Sequence, residues 1–141
     1  MIELEFVAIA QELFYQDLFI IDTQNIEEGH AVFTIELNPQ HKIYKGHFPG
    51  DGITPGVCIL QIACDLFSII HQQNSVIASM KSVKFMQLIR PAVTPKVTFE
   101  FTYQPAEKTG HYEAKCTVSH DQDAMTKTTL TFCPETQFIN S

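Results

Sequence analysis

The stretch that decides the fold runs from Gly46 to Asp65 and reads GHFPGDGITPGVCILQIACD. Its first half is rich in glycine and proline, which fix the backbone by left-handed and locked conformers rather than by regular structure. Thr54 and Pro55 form a helix-start signal, because a threonine hydroxyl can cap a free amide and proline suits the first helical position. The sequence therefore predicts a loop that carries His47, followed by a helix that begins at Pro55.

The predicted helix is apolar on most sides. Between Val57 and Ile70 the polar exceptions are Gln61, Asp65 and Ser68. Their spacings of four and three residues place them on one face of the helix. A buried helix with one polar stripe has two interpretations. It is either a core helix whose polar groups are satisfied by neighbours, or a helix that forms part of an active site.

Three neighbouring features favour the active-site interpretation. His47 is the titratable base of the loop, and the first amides of the helix, those of Gly56 and Val57, carry partial positive charge. The polar stripe begins about one turn further along. A base, a helix N-terminus and a polar group are the parts needed to polarise a carbonyl and to move a proton beside it. In the alternative interpretation, the histidine has no role.

These residues resemble the signature of a known family. The segment His47-Phe48-Pro49-Gly50 is followed after four residues by Pro55-Gly56-Val57 and then by Leu60. This spacing is similar, without a gap, to that of the 3-hydroxyacyl-acyl carrier protein dehydratases of type II fatty acid synthesis (FabZ and FabA type). The resemblance implies the α+β hot-dog fold, in which a curved antiparallel sheet wraps a long central helix. It also implies an active site that lies across a dimer interface.

The resemblance further implies a role for each matching residue. His47 would be the catalytic base, and the amides of Gly56 and Val57 would hold the thioester oxygen. The family has a carboxylate at the position of Gln61 and tends to have glutamine at the position of Asp65. Amide and carboxylate are thus exchanged along one helix face, and an amide cannot donate a proton as an acid does.

Three arrangements could supply the missing proton. Asp65 could be the acid, His47 could both take and return the proton while Gln61 orients the hydroxyl, or another hot-dog chain could contribute the carboxylate in a mixed dimer. The first functional hypothesis is a lyase for carrier-bound 3-hydroxyacyl chains of fatty acid, related lipid or polyketide synthesis. The second is a non-catalytic subunit that binds acyl carrier protein and pairs with an active paralogue. The third is a thioesterase. The intact His47 loop favours the lyase.

The family also implies an acyl tunnel and a docking surface for the carrier protein. We expect four apolar side chains to line the tunnel: Phe48, Leu60, Phe67 and Phe85. Residues 76–96 contain no acidic residue and four of the nine basic residues of the chain. An acidic carrier protein would favour such a segment, although a solvated strand face is the alternative. The docking candidates are Lys81, Lys84, Arg90 and Lys96.

Composition bounds the remaining possibilities. A chain of 141 residues that is 45% hydrophobic is expected to form one domain over residues 1–141, with a polar, frayed tail after about residue 134. The formal net charge of −7 argues against nucleic acid as a partner. The acidic start and interrupted apolar pattern indicate no export or membrane-spanning segment, so we expect a cytoplasmic protein.

Cysteine and histidine spacing predicts no metal site, and we expect no cofactor. The four cysteines lie in apolar segments without C-x-x-C spacing, and the six histidines are scattered. The cysteines are therefore expected to be small core residues in a reducing compartment. They are Cys58, Cys64, Cys116 and Cys133.

Periods of two and β-prone composition predict five to six strands around the helix. The runs lie at 18–21, 33–37, 75–85, 97–103, 112–118 and 124–133, with turns at 27–29, 107–110 and 121–123. We expect the helix to end at about His71. Residues Leu4 to Tyr15 favour a short N-terminal helix or an edge segment.

Overall fold

The computed structural model of the chain describes residues 17–46 and 52–139. The predicted segment at Leu4 to Tyr15 and the loop residues 47–51, which include His47 and Phe48, lie outside the described residues. The elements of the described part are β1 (Phe19–Glu27), β2 (His30–Leu37), α1 (Ile43–Gly46), α2 (Gly56–His71), β3 (Ser75–Phe85), β4 (Lys96–Pro105), β5 (Tyr112–His120), β6 (Asp123–Pro134) and α3 (Glu135–Ile139).

The six strands form one sheet in the order β1-β2-β4-β5-β6-β3, and every neighbouring pair is antiparallel. The period of two is visible in β4, where Val97, Phe99 and Phe101 are buried. The predicted strand number is therefore confirmed. β1 is longer than its apolar run at 18–21 suggests, because its exposed outer half pairs with β2 as far as Glu27.

Helix α2 packs on one face of this sheet. The ring of Phe67 stacks on that of Phe132 in β6, with centroids 4.2 Å apart and planes at 10°. It also meets Phe101 of β4 at 6.0 Å and Tyr112 of β5 at 6.1 Å. A mostly apolar helix is stable in water only when its apolar sides are covered in this way. The chain thus has the predicted α+β hot-dog fold.

The start of α2 differs from the prediction. Pro55 is the N-cap residue, with φ −62° and ψ 148°, and no side chain caps the helix. The hydroxyl of Thr54 is instead hydrogen-bonded to the hydroxyl of Tyr44 at 3.0 Å. The predicted capping role of Thr54 is therefore wrong, because a buried tyrosine competes for its oxygen. The predicted end at His71 is confirmed, with Gln72 in the left-handed conformation at φ 54°.

The segment after β6 also differs from the prediction. A frayed tail was expected beyond residue 134, but Glu135–Ile139 forms the short helix α3. The Glu135 amide donates to the Asn74 carbonyl at 2.9 Å. The side chain of Gln137 lies so close to Gly110 that a Cβ atom there would be 2.6 Å from its nitrogen. Contacts with the two preceding turns therefore order this polar segment.

Among the described strands, β1 and β3 lie at the two edges of the sheet. β3 pairs with β6, and its register shifts between Ile77 and Ser79 and again between Met80 and Ser82. An extra residue in one strand of a pair produces a β-bulge, which bends the strand and increases its twist. The edge at β3 is therefore irregular along its middle.

Two further observations concern the cysteines and the helices. All four cysteines are buried and free, which confirms their assignment as core residues. Among the helices of residues 17–46 and 52–139, none is long and apolar enough to span a membrane.

Candidate active site

Helix α2 contacts the edge strand β3 near both of its ends. Near the end of the helix, the Ser75 amide of β3 donates to the Ser68 hydroxyl at 2.9 Å. At the beginning of the helix, Gly56 contacts the ring of Phe85, the last residue of β3. Helix and strand therefore run in opposite directions along each other, and the N-terminus of α2 lies at the C-terminal end of β3.

The ring of Phe85 packs directly against Gly56. A Cβ atom on Gly56 would be 2.7 Å from the ring Cζ, which is closer than carbon atoms approach without displacement. Phe85 is 49% exposed and Val57 is 55% exposed. The first turn of α2 is thus covered by an aromatic ring on one side and open at Val57.

The first amides of α2 are free within the described part of the chain. The Cys58 and Ile59 amides donate to the Pro55 carbonyl at 3.0 and 3.2 Å, whereas those of Gly56 and Val57 donate to no acceptor there. The first amides of a helix lack a partner one turn earlier, and they carry partial positive charge. This pair can therefore donate to an oxygen that gains negative charge.

Gln61 and Asp65 form a buried pair one turn further along. Gln61 Nε2 donates to Asp65 Oδ1 at 3.0 Å, and the two residues are 3% and 8% exposed. Asp65 Oδ2 is buried and has no hydrogen-bond partner among the described residues. Burial raises the pKa of Asp65 to about 7, while the hydrogen bond from Gln61 acts in the opposite direction. The predicted shared helix face is confirmed.

A second polar cluster flanks residues 47–51. Tyr44 precedes them, and its hydroxyl bonds to that of Thr54, which follows them. Burial raises the pKa of Tyr44 to about 12, and it raises that of the Cys58 thiol to about 12 as well. Both groups are therefore protonated at neutral pH, and Cys58 is a poor nucleophile. The sequence analysis missed Tyr44, for which proximity to His47 was the only signal.

The predicted tunnel residues are not brought together. Phe67 is 1% exposed and lies in the aromatic core described above. Leu60 is partly buried against that core, and Phe85 covers the start of α2. Phe48 lies outside the described residues. Of the three described residues, Phe85 alone lies beside the candidate site, and all four tunnel assignments stay predictions.

The predicted docking residues are divided between two places. Lys81 and Lys84 are exposed on β3, whereas Lys96 begins β4, three positions away in the sheet. Lys96 Nζ lies 3.2 Å from Asp22 Oδ2 in an exposed ion pair. Arg90 lies in the exposed connection between these strands, next to Ile89, whose carbonyl accepts from the Thr54 amide. The basic run in the sequence is therefore not one continuous surface.

Within the described ranges, no three His, Cys, Asp or Glu side chains lie close enough to hold a metal ion. The chemistry available to these residues is hydrogen bonding and proton transfer. The described part of the site supplies two free amides, a buried amide side chain and a carboxyl that titrates near neutral pH.

Curated relatives of the chain are named as dehydratases. It is 24% identical over 126 residues to a 3-hydroxyacyl-[acyl-carrier-protein] dehydratase FabZ of Levilactobacillus brevis, covering 84% of this chain and 83% of the relative. It is 30% identical over 95 residues to the FabZ of Lactococcus lactis, covering 62% of this chain and 63% of that relative. The chain thus spans less than two thirds of the Lactococcus protein.

Solved structures share the fold at low identity. The dehydratase heterocomplex ApeI:P from Xenorhabdus doucetiae matches with a TM-score of 0.59 and 19% identity, over 81% of this chain and 96% of that one. An uncharacterized protein from Erwinia carotovora matches with a TM-score of 0.61 and 15% identity, over 84% and 98% of the two chains.

The broadest evidence comes from a family match. Residues 23–128, which are most of the chain, match the family described as ApeI-like, ApeI dehydratase. This range contains helix α2, the Gln61–Asp65 pair and all of β3. The chain therefore belongs to the ApeI-like dehydratase family.

Proposed function

We propose that the protein is a hydro-lyase that removes water from 3-hydroxyacyl thioesters carried by acyl carrier protein. Family membership and the names of the curated relatives support this reaction class. One structural observation carries the proposal for this chain. Among the described residues, the amides of Gly56 and Val57 meet no acceptor, and they lie one turn before the buried Gln61–Asp65 pair on a helix that runs along the edge strand β3.

In the proposed reaction, the imidazole of His47 removes a proton from the α-carbon of the substrate. The C–H electron pair moves into the thioester, and the negative oxygen is held by the Gly56 and Val57 amides. Dipoles directed at such an oxygen are often the largest contribution to this kind of step. The C3–O bond then breaks, the hydroxyl takes the proton back from the imidazolium, and water and the enoyl thioester leave.

We propose that the leaving hydroxyl of the substrate takes its proton from His47 and not from Asp65. The buried Oδ2 of Asp65 has no accessible surface, and Asp65 lies about 6 Å further along the helix than Gln61. A positioned acid typically contributes about 10²- to 10⁴-fold to such a reaction. We therefore expect slower turnover than in an enzyme with a carboxylate at position 61.

We propose a dimer formed along β3, with acyl carrier protein as the substrate-bearing partner. Exposed apolar side chains surround this edge, namely Val57, Met80, Phe85, Met86 and Leu88. Lys81 and Lys84, which are exposed on the same strand, are candidates for carrier docking. Opposite charge would guide an acidic carrier toward them.

The direct test is dehydration of a 3-hydroxyacyl-acyl carrier protein, followed by the absorbance of the enoyl thioester and by mass spectrometry. We expect enoyl product from the wild-type chain and a loss of at least about 10²-fold for His47→Ala, because the base is removed. The matched control is His30→Ala, since His30 is paired with Glu100 on β2 and β4, away from α2. Equal rates for the wild type and His47→Ala would contradict the mechanism.

The second candidate is a non-catalytic acyl-carrier-binding subunit. It is favoured by one observation, the amide at position 61 where the family resemblance implies a carboxylate. The ApeI:P structure supports pairing with a different chain as an option. In this case the wild type alone forms no enoyl product, and activity appears only with an active paralogue. Release of free thiol in the same assay would instead indicate a thioesterase.

A further inference from the structure

Two hydrogen bonds hold Thr54 just before helix α2. Its Oγ1 lies 3.0 Å from the hydroxyl of Tyr44, and its amide donates to the Ile89 carbonyl at 2.8 Å. Thr54 and Tyr44 are both buried, so protein encloses the two hydroxyls. Burial raises the pKa of Tyr44 to about 12, and its hydroxyl therefore keeps its proton at neutral pH. The bond between the two hydroxyls does not depend on pH in the physiological range.

The sequence at this point is compatible with a different helix start. Threonine is a preferred N-cap residue, and proline is a preferred first helical residue. In the structure, however, the N-cap is Pro55, with φ −62° and ψ 148°, and the helix begins at Gly56. The φ angle of Pro55 already suits a helix, so a rotation of its ψ angle would add Pro55 to the helix and make Thr54 the cap. The two helix starts therefore differ mainly in one backbone torsion angle.

The alternative start would block the proposed acyl site. The side chain of an N-cap residue accepts a hydrogen bond from the second or third amide of the helix. With Thr54 as the cap and Pro55 as the first residue, these are the amides of Gly56 and Val57. The same two amides meet no acceptor among the described residues and are proposed to hold the thioester oxygen. A threonine hydroxyl bonded to either amide would compete with the substrate for it.

We propose that Tyr44 is a positioning residue that keeps the first amides of α2 free for the substrate, because it holds the Thr54 hydroxyl in the extended segment before the helix. The inference rests on the proposed function, since it concerns the amides that hold the thioester oxygen. Tyr44 acts through Thr54 and does not contact the substrate. A buried hydroxyl without a partner is costly, so each hydroxyl of the pair keeps the other in place.

Loss of the Tyr44 hydroxyl should release Thr54. In Tyr44→Phe the buried Thr54 hydroxyl lacks its partner, and the cap on Gly56 or Val57 supplies a new one. We expect hydrogen exchange of at least one of these amides to slow by about two- to tenfold, which is the effect of one neutral hydrogen bond. The kcat/KM for dehydration of a 3-hydroxyacyl-acyl carrier protein should fall by the same factor, because only the uncapped fraction is competent.

The decisive variant combines Tyr44→Phe with Thr54→Val. Valine has the shape of threonine but no hydroxyl, so it cannot cap the helix. The second substitution should therefore return the exchange rates and the activity to within about twofold of the wild type, whereas a purely structural role of Tyr44 predicts a further loss. The matched control is Tyr103→Phe. It removes a hydroxyl that donates to the Glu27 carbonyl at 3.0 Å, near the other end of α2, and should change neither measurement.

Exchange is measured by NMR and turnover by the absorbance of the enoyl thioester, both on the full-length chain. Unchanged exchange in Tyr44→Phe, or a double variant slower than Tyr44→Phe, would overturn the inference and leave the lyase proposal standing. The wild type alone also tests the premise, because strong protection of both amides would show that they are already occupied. If the wild type forms no enoyl product, the lyase proposal fails, while the exchange rates still decide whether Tyr44 keeps the amides free.

Discussion

At the scale of single residues, helical geometry brings Gln61 and Asp65 together, and the packing around them determines which groups they bond. The i, i+4 relation of Gln61 and Asp65 follows from helical geometry. The direction of their hydrogen bond and the enclosure of Asp65 Oδ2 depend on packing by distant segments, which the local sequence does not contain. For the same reason, Thr54 has the composition of a cap but is bonded to Tyr44 instead.

The buried carboxyl of Asp65 makes stability depend on pH. Its pKa is about 7 in the folded protein, above its ordinary value of 3.8. The folded state therefore keeps its proton as the pH rises from about 4 to 7, while the unfolded state loses it. Over this window the free energy of unfolding falls, by at most about 4 kcal/mol, and above pH 7 the full cost of burying the charge is present.

Asp65→Asn removes this cost. We expect the variant to be more stable than the wild type at pH 8, by up to a few kcal/mol, and the difference to shrink at pH 5. Urea denaturation at both pH values measures the effect, with Asp123→Asn as the exposed control. A difference that is the same at pH 5 and pH 8 would show that the burial of charge is not its cause.

At the scale of elements, the contact between α2 and β3 defines the candidate site. The sequence predicted both elements, because one has an apolar run with a polar stripe and the other a long β-prone run. It did not predict that the Phe85 ring covers Gly56, since this contact joins residues 29 positions apart. In the sequence, Gly56 stands out only through its place in the family motif. The structure adds that the Phe85 ring packs against it.

A double-mutant cycle tests this contact. Alanine is favoured over glycine in helices by up to about 1 kcal/mol, but a Cβ atom at position 56 meets the Phe85 ring. We expect Gly56→Ala to stabilise the Phe85→Ala variant by about 0.5 to 1 kcal/mol and the wild type by less or not at all. Thermal denaturation of the four proteins measures the coupling. An identical effect of Gly56→Ala in both backgrounds would mean that the ring moves aside without cost.

At the scale of the whole molecule, alternation of apolar residues was enough to predict five to six strands but not their order. Lys96 is near Lys84 in sequence, yet the sheet order places β4 three positions from β3. The predicted basic patch is divided for this reason. Similarly, the polar outer half of β1 has little β-signal of its own and is held in place by its pairing with β2.

The exposed apolar side chains on the edge strand β3 predict that the protein forms a dimer. We expect the purified chain to elute as a dimer in gel filtration with light scattering, and Met80→Lys to shift it to a monomer. Met80 is 59% exposed on β3, and a charge there would be buried without a partner in the dimer. The control is Ile20→Lys on the opposite edge strand β1, where Ile20 is 51% exposed. Dissociation by the control alone would place the interface on β1.

The two bulges in β3 have a consequence for the behaviour of the protein at high concentration. A long, flat, apolar edge strand is a template on which further chains can stack into fibrils. In β3 the hydrogen-bonding ladder with β6 is interrupted near Ala78 and Lys81. The bent edge therefore fits a strand with a matching irregularity better than a regular strand. An edge of this shape favours one specific contact over the unselective strand pairing that leads to amyloid-like aggregation.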